Sequence, residues 1–392
     1  MRTDINGTIA AGFESVREAF SSGFDEKPDM GAALAIMRDG HIIADLWGGI
    51  SDERQRTPWS QDTVSVIFSC TKGLVSILAA RLVQDGRLDY DARVSEYWPE
   101  FAASGKSQVR VKDLLAHRSG VSAPRLPLRT EDVRDWDLVV ARLAAQEPLW
   151  EPGTGYAYHA ITHGWLIGEV IRRVTGRTVG EYFAELVAAP RRLDAWIGFP
   201  SAERARVAHM QVGPTLRALT AQQAASREAG VVDWSERAMT LGGALPPELI
   251  GPGPEDGFNS RAIQAAEIPG AGGIASARAL AGIWSAVICG AQGERVLDDA
   301  TLAAATTVQS EGPPVWDVPG PWPSWGMGFQ LDSEARRYLT PTSFGHDGAG
   351  GQVAFADPAS GIGFAYLTNQ MEAIDDLRAT RIIDALRSSL SL

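Results

Sequence analysis

Ser69-Cys70-Thr71-Lys72 sets a hydroxyl and an amine three residues apart. On a helix, residues three apart share a face, so the two groups can meet. A free lysine, with an ordinary pKa of about 10.4, is a poor base at neutral pH. Burial disfavours its charged form, and so does the positive end of the dipole at a helix N-terminus. A neutral Lys72 can therefore take the proton from Ser69 as it attacks a carbonyl, which is acyl-transfer chemistry. The same four residues also fit a plain helix start with a serine cap. The chain has four lysines (Lys27, Lys72, Lys106 and Lys112), so this pairing had few chances to arise by accident.

Two further groups fit such chemistry. Tyr158 follows the turn Glu151-Pro152-Gly153 and precedes a helical pattern. A phenol there can shuttle a proton between Ser69 and a leaving group if positive charge lowers its pKa. A half-buried aromatic with a satisfied hydroxyl is the plain alternative, and Tyr156 competes for the role. His346-Asp347-Gly348-Ala349 opens the last strand pair and runs into Gly350-Gly351. Glycines beside a strand let a ligand approach the backbone. An N–H there, paired with that of Ser69, can form an oxyanion hole; a turn histidine is the alternative. His159 and His163 have the i, i+4 spacing of a metal pair, but the glutamate and third ligand of such sites are missing, so no metal is expected. Twelve tryptophans, Trp322 and Trp325 among them, can line an acyl pocket or simply pack a core.

These groups need elements to position them. Apolar residues Ile9, Phe13, Val16 and Phe20 predict an opening amphipathic helix. Two apolar runs, 32–37 and 41–47, flank Asp39-Gly40 and predict a β-hairpin. Val64 to Phe68 leads into a helix over Ser69 to Asp85, stopped by Gly86. From about 90 to 200 the pattern is helical, with a well-formed helix over Thr162 to Val174 ending before Gly176. Further helices are predicted near Leu219 to Ala229, over Ser276 to Val287 and over Asp375 to Ser389. Gly251-Pro252-Gly253-Pro254 reads as a surface loop. Strands are predicted over Gly350 to Ala356 and Gly361 to Leu367, around the turn Asp357-Pro358-Ala359-Ser360.

This order predicts an α/β domain built from both chain ends, residues 1–90 and 260–392, with a mostly helical domain inserted at 91–259. A cleft between two such units is a favoured small-molecule site.

At 392 residues and 45% hydrophobic, the chain has ample material for such a core. A net charge of −12 disfavours nucleic acid and anionic membrane as partners, since both need a basic face. Cys70 and Cys289 make neither a disulfide framework nor a metal site. No apolar run is long enough to span a bilayer, and the N-terminus lacks the pattern of a signal peptide. A cytoplasmic protein is expected.

Taken together, the chain resembles the serine β-lactamase-like superfamily, closest to the family VIII carboxylesterases and the relatives of class C β-lactamases. Ser69-Cys70-Thr71-Lys72, the stretch Asp113-Leu114-Leu115-Ala116-His117-Arg118-Ser119-Gly120, and Pro152-Gly153 with Tyr158 carry the resemblance. So do Gly270-Ala271-Gly272-Gly273 and Phe344-Gly345-His346-Asp347-Gly348. The resemblance implies an antiparallel sheet flanked by helices, with Ser69 as nucleophile and Lys72 and Tyr158 as base and proton relay. It implies His346-x-Gly348 in place of a Lys-Thr-Gly element, and Ala349 N–H beside Ser69 N–H in the oxyanion hole. Ala160 stands where β-lactamases usually have asparagine, and His346 where they have the lysine that meets the substrate carboxylate. Both departures favour a short-chain ester over a β-lactam. No cofactor is implied, and the expected partner is a small-molecule ester. A D-amino-acid peptidase, a β-lactamase or an acyltransferase on the same scaffold, and a non-catalytic binding protein, are the alternatives. A Ser-His-Asp triad using His346 would need a G-x-S-x-G elbow, which the chain lacks.

Overall fold

In the computed structural model, residues 3–25, 27, 29–226, 230–251, 253–290, 295–373 and 376–392 are described. The two apolar runs around Asp39-Gly40 form strands β2 (Gly31–Arg38) and β3 (His41–Asp52), paired antiparallel. Asp39 and Gly40 take φ of 50° and 80°, the left-handed pair that a two-residue hairpin requires. The opening helix is shorter than its periodicity predicts. Ile5–Ile9 is instead a strand, β1, laid on the free edge of β3 with Ile9 opposite Ala44. Helix α1 (Glu14–Ser22) starts only after Phe13 and buries Val16 and Phe20. The open edge of β3 offers Ile5–Ile9 a full set of backbone partners, which the residue pattern alone does not reveal.

Five more strands come from the other end of the chain: β4 (Ser324–Trp325), β5 (Gln330–Leu331), β6 (Phe344–Gly348), β7 (Gln352–Asp357) and β8 (Ile362–Thr368). The sheet order is β1-β3-β2-β8-β7-β6-β5-β4, with Thr57–Pro58 paired to β3, nine strands in all and every pairing antiparallel. His346 and Gly348 lie within β6 rather than ahead of the strand pair. Gly350 and Gly351, expected to begin β7, form the β6–β7 turn with φ of 79° and 108°.

Both faces of the sheet are covered, which is why β2 is apolar up to Met37, before the exposed Arg38. Ala32, Leu34 and Ile36 face a core with Val16, Phe20, Ile382 and Ile383, contributed by α1 and the closing helix α5 (Arg378–Ser389). Ala33, Ala35 and Met37 face the larger core beneath helices α2 (Cys70–Gln84) and α4 (Ala277–Ile288). The period of two along the strand sorts them. Small residues on that second face let the helices approach closely. A side chain at Gly363 would meet the Ala281 carbonyl at 2.5 Å.

Helix α3 (Thr162–Thr175) ends on Gly176 at φ 72°, the left-handed stop its sequence predicts. It packs on α2, whose side chains are buried nearly all round, as an apolar helix inside a core must be. Residues 91–259 contribute no strand to the nine-stranded sheet among the described residues. The helix expected near 219–229 spans Pro214–Ala225 and has no fully buried side chain, so its sequence shows little periodicity. Residues 227–229, Pro252 and Asp375, which fall in predicted elements, lie outside the described residues. Among those described, no helix is long and apolar enough to cross a membrane.

Candidate active site

Ser65–Val66 pairs with Gly273–Ala275 and carries the chain to the start of α2. At the bend Phe68 takes φ of 44°, a left-handed conformation costly for a bulky side chain. Its ring is anchored edge-to-face on Phe258 at 5.4 Å. Thr71 Oγ1 fastens the bend twice, donating to Phe68 O at 2.5 Å and accepting from Gly273 N–H at 2.9 Å. Ser69 occupies the N-cap position of α2, but its hydroxyl makes no capping bond. It lies 2.9 Å from Lys72 Nζ instead. This excludes the plain serine-cap reading.

Lys72 is fully buried. Its Nζ donates to Ala160 O at 2.5 Å and to Gly270 O at 2.6 Å. Among the described residues no carboxylate pairs with it, and burial holds the amine well below the ordinary lysine range. A neutral amine has two hydrogens and one lone pair. In the charged form the third N–H donates to Ser69 Oγ; in the neutral form, with both hydrogens on carbonyls, the lone pair faces the Ser69 hydroxyl.

Tyr158 is half-buried with its ring 4.9 Å from Lys72 Nζ. Trp325 stacks on it at 5.3 Å with planes 16° apart. Burial raises the phenol above its ordinary pKa and a hydrogen bond with Ser69 only opposes that rise, so the expected lowering by positive charge is not found and any relay runs through the protonated phenol. The Tyr156 hydroxyl donates instead to Gly312 O at 2.5 Å. Trp322 sits away on a loop, with its indole N–H on Val318 O.

Strand β6 closes the site. Cys70 Sγ donates to His346 O at 3.0 Å, tying α2 to the strand. A side chain at Gly348 would fall 2.3 Å from Ile67 O, so glycine is what lets the end of β6 reach the bend before Ser69. Neither Ser69 N–H nor Ala349 N–H has an acceptor among the described residues. On the opposite face of β6, Asp347 pairs with Arg336 at 2.8 Å and accepts from Tyr338 Oη at 3.1 Å. His346 Nδ1 donates to Asp347 O at 2.7 Å, so Nε2 carries the lone pair. Burial, then the nearby Lys72, push its pKa down to about 3. His346 is a neutral acceptor, not a cation.

Neither carbonyl on Lys72 follows from the residue pattern, in which Ala160 marks a lost asparagine and Gly270 belongs to a resembling stretch. The close approach behind them depends on Gly164, where a side chain would fall 1.9 Å from Gly270 N. His159 uses both ring nitrogens on protein groups, Nδ1 on Ala157 O at 2.7 Å and Nε2 on Ser119 Oγ at 2.8 Å. Among the described residues, no group of three or more His, Cys, Asp or Glu side chains could hold a metal.

A family model described as Beta-lactamase matches residues 20–387. The chain belongs to the beta-lactamase family. It is 33% identical over 366 residues to "Esterase/beta-lactamase LipL" of Mycobacterium tuberculosis, covering 92% of this chain and 81% of that protein. A crystal structure of a family VIII carboxylesterase superposes with a TM-score of 0.85 at 35% identity, covering 98% of this chain and 100% of the other. A penicillin-binding protein homologue from Caulobacter crescentus matches equally well, with a TM-score of 0.85, 35% identity and the same coverage. The fold is therefore β-lactamase-like, and this member of the family is a serine hydrolase.

Proposed function

We propose that the protein is a carboxylesterase for esters of short-chain acids, working through a Ser69 acyl-enzyme. The observation that carries this reading is the environment of Lys72: two carbonyls, one serine hydroxyl and, among the described residues, no counter-ion. Ser69 Oγ attacks the ester carbonyl carbon while its proton passes to Lys72 Nζ. The tetrahedral oxyanion is received by the N–H groups of Ser69 and Ala349, each donor contributing about 3–4 kcal/mol in well-characterised hydrolases. The carbon–oxygen bond breaks, and the departing alkoxide takes its proton through the Tyr158 hydroxyl. Water, deprotonated by the same pair, then attacks the acyl carbon and releases the acid and Ser69.

His346 supports an ester over a β-lactam. A substrate carboxylate needs a cation, and Nε2 presents a lone pair that repels it. The likeness to a family VIII carboxylesterase supports the esterase reading, while the name of LipL includes both activities and does not separate them.

The test is hydrolysis of p-nitrophenyl acetate, p-nitrophenyl butyrate and a chromogenic cephalosporin by the wild type and Ser69→Ala. Ester turnover lost in the variant, with little cephalosporin turnover, is the expected result. Dominant cephalosporin turnover makes the protein a β-lactamase, and ester turnover that survives Ser69→Ala removes the nucleophile from this account.

A further inference from the structure

The two peptide N–H groups that flank Tyr158 are held by one residue. Ala157 N–H donates to His117 O at 3.1 Å, and His159 N–H donates to His117 Nδ1 at 3.2 Å. The same imidazole meets the Tyr158 ring at 65°, with centroids 5.0 Å apart. A carbonyl, a ring nitrogen and a ring edge thus fix the backbone on both sides of the phenol and the phenol itself.

His117 takes φ of 63°, a left-handed conformation in which non-glycine residues are uncommon. Its ring is fully buried. With Nδ1 accepting, the proton sits on Nε2, which has no hydrogen-bond acceptor among the described residues. A strained backbone and an unsatisfied buried N–H both cost stability, so packing alone does not account for histidine here. Its neighbours hold the ring still. Trp325, stacked on Tyr158, meets His117 at 4.7 Å, and His163 backs it at 5.1 Å. Ser119, two residues on, bonds the His159 ring and so stitches the 117–119 segment to the 157–159 segment a second time.

We propose that His117 is the positioning residue of the proton relay, fixing the register and ring angle that bring the Tyr158 hydroxyl to Ser69. Among the described residues it makes no hydrogen bond to Ser69 and acts through Tyr158. The proposal rests on the reading of Tyr158 as relay, and the test separates the two.

Turnover of p-nitrophenyl acetate is measured for the wild type, His117→Gly, His117→Asn, Tyr158→Phe and the double variant His117→Gly/Tyr158→Phe. Glycine keeps the left-handed backbone and the carbonyl but removes the ring; asparagine also tolerates that φ and restores an acceptor near the place of Nδ1. The expected results are a fall in kcat of about 10- to 100-fold for His117→Gly with KM within about threefold, and recovery in His117→Asn to within about fivefold of wild type. In the Tyr158→Phe background, His117→Gly should cost less than about threefold, because the group it positions is already gone. Equal losses in both backgrounds, asparagine no better than glycine, or an unchanged kcat in His117→Gly each overturn the proposal. Normal turnover by Tyr158→Phe overturns the relay reading itself, and the proposal with it. If His117→Gly does not fold, His117→Asn decides: kcat near wild type supports the proposal, and kcat as low as that of Tyr158→Phe overturns it.

Discussion

Lys72 Nζ donates to the carbonyl of Gly270 at 2.6 Å, and main chain packed against main chain holds that carbonyl in place. A side chain at Gly270 would lie 2.3 Å from Ile161 O, and one at Gly164 would lie 1.9 Å from Gly270 N. Two glycines therefore let the first turn of α3 press on the 268–273 segment until its carbonyl reaches the amine.

Gly164→Ala is expected to separate these segments. The added methyl meets backbone, which cannot swing aside as a flexible side chain can. Overpacking of this kind costs about 1–3 kcal/mol. The carbonyl retreats from Lys72 in the same step, so kcat should fall by about 10- to 100-fold. Thermal melting and ester kinetics on one preparation check both effects. A lower melting temperature with unchanged kcat would show that Gly270 O is not needed by Lys72.

With Lys72 as the proposed base, its amine should set the pH dependence. Burial holds its pKa well below the ordinary value, and the neutral form is the one that accepts the Ser69 proton. Activity should rise as pH rises through the lowered pKa, and the plateau should be reached below the ordinary lysine value. Lys72→Arg keeps positive charge across that range and cannot accept a proton. A loss of about a thousandfold in acylation is expected for it. A pH–rate profile for the wild type and a single-turnover assay for the variant check this. Near-normal acylation by Lys72→Arg would remove Lys72 as the base.

What was legible in the sequence was what is local. Ser69 and Lys72 are three apart on a helix whose ends the apolar pattern and Gly86 mark, so their meeting follows from helical geometry. The hairpin at Asp39-Gly40 and the stop at Gly176 are legible for the same reason. The choice between Tyr156 and Tyr158 was not, since residues 156–158 form no helix and the difference lies in Gly312, far along the chain. The carbonyls of Ala160 and Gly270 were invisible because a backbone acceptor leaves no mark in residue type. His117 looked like part of a resembling stretch and nothing more; its role depends on a φ of 63° that composition does not announce. Periodicity assigns Ile9 to a helix because the edge of β3 that captures it is not encoded in its own neighbours.

Strand β6 is fixed from behind by the pair Arg336–Asp347, with Arg336 the more buried partner. Burial raises the Asp347 carboxyl, and Arg336 opposes the rise. Arg336→Leu leaves that carboxylate uncompensated. Breaking a fully buried pair costs about 3–5 kcal/mol, but Asp347 keeps some solvent, so a loss of about 1–3 kcal/mol is expected. Arg336→Leu/Asp347→Asn should recover part of it. Urea unfolding of both variants checks the order, and a double variant less stable than the single one would refute it.

Acid should unfold the protein before it titrates the histidines in place. His117, His159, His163 and His346 are buried, and desolvation is the first cause lowering each pKa, to about 3 for His159 and His346. In the folded chain these rings stay neutral, whereas in the unfolded chain each takes a proton near the ordinary value of about 6.5. The unfolded state therefore binds more protons as pH falls below about 6.5, and stability declines by about 1.4 kcal/mol per pH unit for each such ring. Above about 6.5 both states are neutral at these sites and the histidines contribute no slope. Towards about 3, His159 and His346 protonate in the folded state and their share of the decline ends. His163→Leu removes one ring from the balance, so urea midpoints measured between pH 7.5 and 5 should fall less steeply than in wild type, by about one proton. An identical slope in the variant would mean that His163 takes up its proton inside the folded core.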